Sequence, residues 1–368
     1  MKTSNFDHSI KALAIFTLIS LMLTVASCTG KTDRAENLIL NGAGATFPYP
    51  LYSKWTSQYN ELTGVKVIYQ SIGSGGGIAQ IRAGTVDFGA TDAPLDKEEL
   101  DRLQLIQFPM VMGGVVPVVH VKGIGPGKLR LTGPVIAEIY LGAITRWNDP
   151  AIKELNPGIT LPDEDITTVH RADGSGTTWI FSNYLTKVSP AWAREMGNAK
   201  VLAWPVGAGG KGNEGVSAYV QRIEGSMGYV EFAYAMQSGL SYALLKNHAG
   251  NFVAPSPGSF FAAASMADWE NAPGYRVVLT EQPAEESWPI TGASFILLRK
   301  EQRNSGKTRA LLKFLDWCYR YGEKSASGLE YVPLPQHVVD GIESYWSRTL
   351  AAGGKSLWPP RGEKGDKE

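Results

Sequence analysis

The sequence predicts an α/β fold. Three observations carry that expectation. Strand-like apolar runs alternate with helical ones along the chain. A strand, a glycine-rich loop and a helix recur three times, each time with a Ser or Thr in the loop. The chain of 368 residues holds 41 Gly and 21 Pro, which suits a loop-rich α/β protein better than a helical bundle.

The elements follow in order. Leu38-Ile39-Leu40 is a short apolar run, then Asn41 to Pro50 reads as a loop, and Leu51 to Leu62 as a helix. Val65 to Tyr69 alternates as a strand, ahead of the loop Gly73-Ser74-Gly75-Gly76-Gly77 and a short helix from Ile78 to Arg82. Residues 171–177 read Arg-Ala-Asp-Gly-Ser-Gly-Thr, and Thr178-Trp179-Ile180-Phe181 starts an apolar helix. Val115 to Val121 and Ser294 to Leu298 are nearly continuous apolar runs of central-strand character. Ala310 to Tyr319 has apolar residues at helical spacing and includes Cys318, which reads as a buried thiol. The loops lack the spacing G-x-G-x-x-G with an acidic residue about 20 positions on, and no Gly-Lys-Ser/Thr marks a P-loop.

The segment from Arg171 to Thr177 carries the most chemistry. The first N–H groups of a helix have no internal partner, and the helix dipole is positive there. An oxyanion at that point would meet backbone donors, hydroxyls and a guanidinium fork together. The same residues also describe a well-capped helix after a polar turn, with Asp173 or Ser175 as the cap.

Composition narrows the function classes. There are 35 basic and 35 acidic residues, so no global field attracts nucleic acid or an anionic surface. Hydrophobic content of 43% and ten Trp indicate a real core within one to three domains. Five His show no metal-ligand spacing, and no G-x-S-x-G elbow is present. Neither a cofactor nor a catalytic residue is expected. The N-terminus reads as a targeting segment: Lys2 and Lys11 flank the start, Ala12 to Ala26 is a signal-type apolar run, and Val25-Ala26-Ser27-Cys28 resembles a bacterial lipobox. Residues 1–27 are then a lipoprotein signal peptide, Cys28 carries the lipid, and several acyl chains give firm anchoring to a bacterial membrane. Residues 353–368, rich in Lys, Glu, Gly and Pro, are expected to be a disordered tail.

Taken together, GAGATFPYPLYSKW (42–55), GSGGG (73–77), TVDFGATDAPL (85–95), FPMVMGGVVPVV (108–119), LGAITRWNDPAI (141–152), RADGSGTTWIF (171–181), GGKGNEGVSAYVQ (209–221), GYVEFAYA (228–235) and WPITGASFILL (288–298) resemble the PstS type of phosphate-binding protein, the substrate-binding component of the bacterial high-affinity phosphate transporter. The resemblance runs from Leu38 to about Trp346. It implies a periplasmic-binding-protein type II fold: two α/β lobes joined by a hinge with the ligand in the cleft. One lobe would comprise 38–112 with 284–350, the other 113–283. It also implies a function: binding inorganic phosphate and delivering it to an ABC permease with its ATPase subunits, from the periplasm-facing or extracellular side of the cell envelope. The implied phosphate ligands are Thr46, Phe47, Ser74, Asp92, Arg171, Ser175, Gly176 and Thr177, with Ala45 as a backbone contact.

Each residue type has a physical reason to be there. The hydroxyls of Thr46, Ser74, Ser175 and Thr177 donate and rotate to suit. N–H groups of Phe47, Gly176 and Thr177 donate from helix starts, and the Phe47 ring shields the site from water. Arg171 supplies the formal positive charge, and Asp173 is placed either to orient it or to cap the helix. Asp92 reads specificity: a carboxylate beside an anion is repulsive unless it accepts a proton from it, and phosphate near neutral pH keeps a proton that sulfate lacks. Residues 92–95 also fit an Asp-x-Pro turn with Asp92 as its cap. Three other functions compete with the receptor reading. One is a secreted phosphatase or phosphotransferase using Ser175 or Thr177, for which no base is visible. The others are a receptor for another tetrahedral oxyanion and a phosphate sensor without a transport role.

Overall fold

Residues 38–358 are described by the computed structural model. Strand β1 (Ile39–Gly44) leads into helix α1 (Tyr49–Thr63), and β2 (Lys66–Ser71) into α2 (Ser74–Ala83). Then come β3 (Phe88–Thr91), α3 (Lys97–Leu103) and the long β4 (Leu105–His120). The middle of the chain holds β5 (Arg130–Leu131), α4 (Gly133–Leu141), α5 (Pro150–Leu155), β6 (Thr167–Arg171), α6 (Gly176–Val188), α7 (Pro190–Glu195), β7 (Ala208–Gly210), α8 (Gly212–Arg222), β8 (Ser226–Glu231) and α9 (Phe232–Gln237). Short strands β9 (Ser241–Tyr242), β10 (Leu244–Lys246) and β11 (Phe252–Val253) precede α10 (Pro257–Ala264) and β12 (Thr291–Arg299). The chain closes through α11 (Ser305–Tyr321), α12 (Glu323–Ser327), α13 (Gln336–Thr349), β13 (Ala351–Ala352) and β14 (Lys355–Ser356).

The main sheet runs in the order β2-β1-β3-β12-β4-β8-β6-β7. β1 is parallel to β2 and β3, and β6 is parallel to β7 and β8. The two parallel groups are joined by β12 and β4, which run antiparallel to their neighbours. β4 changes partner along its length: Leu105 to Gly114 pair with β12, and Val115 to His120 pair with β8. Fifteen of its 16 residues are buried, the continuous apolar pattern of a strand covered on both faces.

Two elements are longer than the sequence suggests. β4 begins ten residues before the expected Val115 and runs through Pro109 and Gly113-Gly114. The structure accommodates them: the β4–β12 ladder shifts register beside Pro109, which has no N–H to give, and the Phe260 ring packs on Gly114 where a Cβ would sit. Helix α2 begins at Ser74, so the glycines expected in a loop are its first turn. A Cβ on Gly77 would lie 2.5 Å from Gly44 Cα and 2.6 Å from Ala90 O, so glycine here lets the helix lie directly on β1 and β3.

Cys318 is buried in α11 as a free thiol. The expected tail starts too early. Residues 351–356 pair as a two-stranded hairpin, and Leu357 and Trp358 are buried, with the Trp358 ring edge-on to Trp346. The aromatic contact outweighs the polar composition around it. Residues 359–368 lie outside the described residues, as do the expected signal peptide and Cys28. Among the described residues no helix is long and apolar enough to cross a membrane.

Candidate functional site

The residues singled out in the sequence sit just past the carboxyl ends of parallel strands, where open α/β sheets bind ligands. Ala45, Thr46 and Phe47 follow β1, Ser74 follows β2 and Asp92 follows β3. Arg171 ends β6, and Ser175, Gly176 and Thr177 open α6. Gly75 N–H donates to Gly174 O at 2.8 Å, joining the loop after β2 to the loop after β6.

Arg171 is held from two sides. Its Nε donates to Asp173 Oδ1 at 2.8 Å and its Nη2 to Asp173 Oδ2 at 2.5 Å. Its Nη1 donates to Thr177 Oγ1 at 3.1 Å. Asp173 also accepts from Gly212 N–H at 3.0 Å. Burial works against the Asp173 carboxylate, but the bonds and charge of Arg171 and the Gly212 N–H outweigh it and hold the group below its usual range. Ser175 is the helix cap, accepting from Thr178 N–H at 2.9 Å. Asp173 therefore pairs with Arg171, and the helix cap is Ser175.

Asp92 is 1% exposed. Its N–H donates to Ser74 Oγ at 3.1 Å, and Ser74 Oγ reaches Asp92 Oδ2 at 3.5 Å. Oδ1 makes no hydrogen bond of good geometry among the described residues, with the Ser294 hydroxyl acting on the carboxyl from nearby. Burial pushes the carboxyl up to about 7, with Ser294, the Arg171 charge and Ser74 pulling the other way. The alternative of a capping Asp92 fails. Thr91 Oγ1 accepts from Ala93 N–H at 3.1 Å and donates to Ala93 O at 2.9 Å, so the turn before Pro94 is closed by its neighbour.

Ala45 offers no free donor. Its N–H goes to Ala90 O at 3.0 Å and its C=O accepts from Tyr69 O–H at 2.8 Å. Thr46, Ser74, Arg171, Ser175 and Thr177 are each less than 5% exposed, and Phe47 is fully buried. Gly176 and Thr177 supply first-turn N–H groups, which have no partner inside the helix. Among the described residues no group of three or more His, Cys, Asp or Glu could hold a metal ion.

Three residues that the sequence reading did not single out complete the cluster. Asn213, in the first turn of α8, donates from Nδ2 to Thr46 Oγ1 at 2.7 Å and to Thr177 Oγ1 at 3.2 Å. Glu231, fully buried at the end of β8, accepts at Oε2 from Tyr331 O–H at 2.9 Å and Ala233 N–H at 2.9 Å. Burial pushes its carboxyl well up, and the Asp92 charge adds to the shift. Tyr331 O–H also reaches Phe47 O at 2.6 Å. The strand Ala208–Gly210 followed by Lys211-Gly212-Asn213 is a fourth strand, glycine turn and helix, and it was the available signal for Asn213.

A family model described as the PBP superfamily domain matches residues 27–320. The chain is 54% identical over 315 residues to the phosphate-binding protein PstS of Xylella fastidiosa, covering 86% of each chain. It is 53% identical to the PstS of Haemophilus influenzae, covering 87% of this chain and 96% of that one. At greater distance, the PstS of Methanocaldococcus jannaschii is 34% identical over 354 residues, covering 87% of this chain and 90% of that one. Among solved structures, a phosphate-binding protein from Stenotrophomonas maltophilia superposes with a TM-score of 0.68 at 18% identity, covering 88% of this chain and 99% of that one. A high-affinity periplasmic phosphate-binding protein solved with phosphate bound gives the same TM-score at 20% identity, covering 87% and 96%. These two superpositions establish the fold.

Proposed function

The chain belongs to the PBP superfamily and, within it, to the PstS phosphate-binding proteins; on that premise we propose that it binds inorganic phosphate among the residues above and delivers it to an ABC permease. The observation that carries this is Asp92. It is a buried carboxylate with one oxygen lacking a hydrogen bond of good geometry, set among a guanidinium, hydroxyls and first-turn N–H groups. A ligand there must accept many hydrogen bonds and donate one, which describes HPO₄²⁻ or H₂PO₄⁻.

The lobes are drawn at 38–112 with 284–350, and at 113–283. In support, β4 exchanges β12 for β8 between Gly114 and Val115. Thr46, Ser74 and Asp92 then come from the first lobe and Arg171, Ser175 and Thr177 from the second, so a ligand touching both favours closure. The reading is a receptor and no enzyme: among the described residues no histidine or carboxylate is hydrogen-bonded to the Ser175 or Thr177 hydroxyl to take its proton. Cys28 carries a lipid that tethers the protein at the cell envelope. The test is calorimetric titration of ligand-free protein with phosphate, arsenate and sulfate. Phosphate and arsenate should compete for one site and, above pH 7 where Asp92 is ionised, sulfate should bind at least about 10³-fold more weakly, since it leaves Asp92 facing lone pairs. Equal affinity for sulfate removes the argument.

A further inference from the structure

Thr46 and Thr177 hydroxyls each have one hydrogen to give and two lone pairs with which to accept. In this structure the lone pairs are taken. Thr46 Oγ1 accepts from Asn213 Nδ2 at 2.7 Å and from Asn213 N–H at 3.2 Å. Thr177 Oγ1 accepts from Arg171 Nη1 at 3.1 Å and from Asn213 Nδ2 at 3.2 Å. Among the described residues, every hydrogen bond of these two oxygens has the hydroxyl as acceptor. Their hydrogens are left to point elsewhere.

The direction of the Asn213 amide is itself fixed. Its Oδ1 accepts from the backbone N–H of Glu231 at 3.0 Å, which a flipped amide would meet with its own NH₂. Both amide hydrogens therefore face the threonines, and Asn213 is fully buried. The backbone of Thr46 is held separately, its C=O accepting from Tyr234 O–H at 2.7 Å.

We propose that Asn213 is a positioning residue for anion binding: by filling the lone pairs of Thr46 and Thr177 it makes both hydroxyls obligate donors toward the ligand. This rests on the reading of the cluster as a phosphate site. Without Asn213 each hydroxyl is free to turn a lone pair toward the anion, and the site loses its bias. Specificity then has two parts. Asp92 demands one donor from the ligand, and Asn213 ensures that the hydroxyls around it demand acceptors.

The test is a double-mutant cycle read by phosphate titration, with the parent protein as the first arm. If the parent binds no phosphate, the reading of the site fails and this inference falls with it. If the parent binds, Asn213→Ala is expected to weaken phosphate about 10- to 100-fold. In a Thr46→Val background, where only the Thr177 hydroxyl is left to orient, the same change should cost at least about threefold less. An equal loss in both backgrounds, or none in the parent, overturns the proposal while leaving the phosphate site intact. A second variant guards against a folding defect. Asn213→Asp keeps the acceptor for Glu231 N–H but replaces the donors by lone pairs, so the threonine hydrogens turn to it and leave the anion. Its affinity relative to parent should fall, and recover as the pH is lowered and the new carboxyl gains a proton. Parent-like affinity in Asn213→Asp at neutral pH also overturns the proposal.

Discussion

A Cβ placed on Gly176 would lie 2.5 Å from Asp92 Oδ2 and 2.6 Å from Asp92 Cβ. The start of helix α6 is thus pressed against the carboxylate that lies past β3, and Ser74 Oγ stands 2.4 Å from the same point. Both partners are buried and neither can swing into solvent. Gly176→Ala should therefore push the helix start away from Asp92, destabilising the fold by about 1–3 kcal/mol and weakening phosphate more than stability alone explains. Thermal melting and titration on one sample check this; parent-like affinity shows that the helix start and Asp92 do not share a ligand.

Asp92→Asn keeps the shape of the side chain and removes its charge. The amide can turn its carbonyl to a P–OH or its NH₂ to an unprotonated oxygen. Phosphate affinity should hold or fall modestly, while sulfate affinity rises by a larger factor. The quantity to measure is the phosphate-to-sulfate ratio at fixed pH and ionic strength. An unchanged ratio means that Asp92 does not read the proton.

Asp92 also sets a pH dependence. Its carboxyl titrates at about 7 when folded against 3.8 as the reference, so the folded protein holds the proton more tightly. That contribution is fully present below about pH 4 and is lost as the pH rises through 7. Roughly three pKa units correspond to about 4 kcal/mol. The melting temperature of ligand-free protein should fall between pH 5 and 8, and Asp92→Asn should flatten the slope. Glu231, also raised by burial, contributes with the same sign, so part of the slope survives. Parallel curves for parent and mutant would refute the assignment.

Arg171→Ala should weaken phosphate strongly, by about 3–5 kcal/mol, because a buried anion loses its paired guanidinium. It also leaves Asp173 with a carboxylate whose charge partner is gone. Asp173→Asn is expected to cost less, since it loosens the orientation of Arg171 but keeps its charge. Titration that ranks Asp173→Asn above Arg171→Ala in severity would reverse their roles.

Cys28→Ala should release the protein from the membrane fraction with phosphate affinity unchanged, because the proposed lipid attachment is remote in sequence from every residue of the candidate site. Fractionation after a high-salt wash decides it, and a mutant that stays membrane-bound disproves lipid attachment at that cysteine.

The readable part of the site was local. Arg171, Ser175, Gly176 and Thr177 lie within one strand-to-helix connection, and the rules for helix starts are rules about neighbours. Asp92 was half readable: its place before Pro94 suggested a cap, and only the folded chain shows Thr91 closing that turn. Tyr331 was not readable as a site residue, and the strand and glycine turn before Asn213 hinted at a loop without saying what it meets. Asn213 meets Thr46 across 167 positions, and Tyr331 meets Phe47 across 284.

By itself, then, the sequence determined the α/β class, the loops that carry the donors and the family. Those follow from hydrophobic period, glycine placement and motif order, which short stretches encode. The tertiary structure alone decided which glycines belong to a helix, where β4 changes partners, and which side chains fill the lone pairs of Thr46 and Thr177. Those depend on sheet order and burial. Whether a hydroxyl donates or accepts is settled by the groups packed around it, and the chain brings them from distant segments.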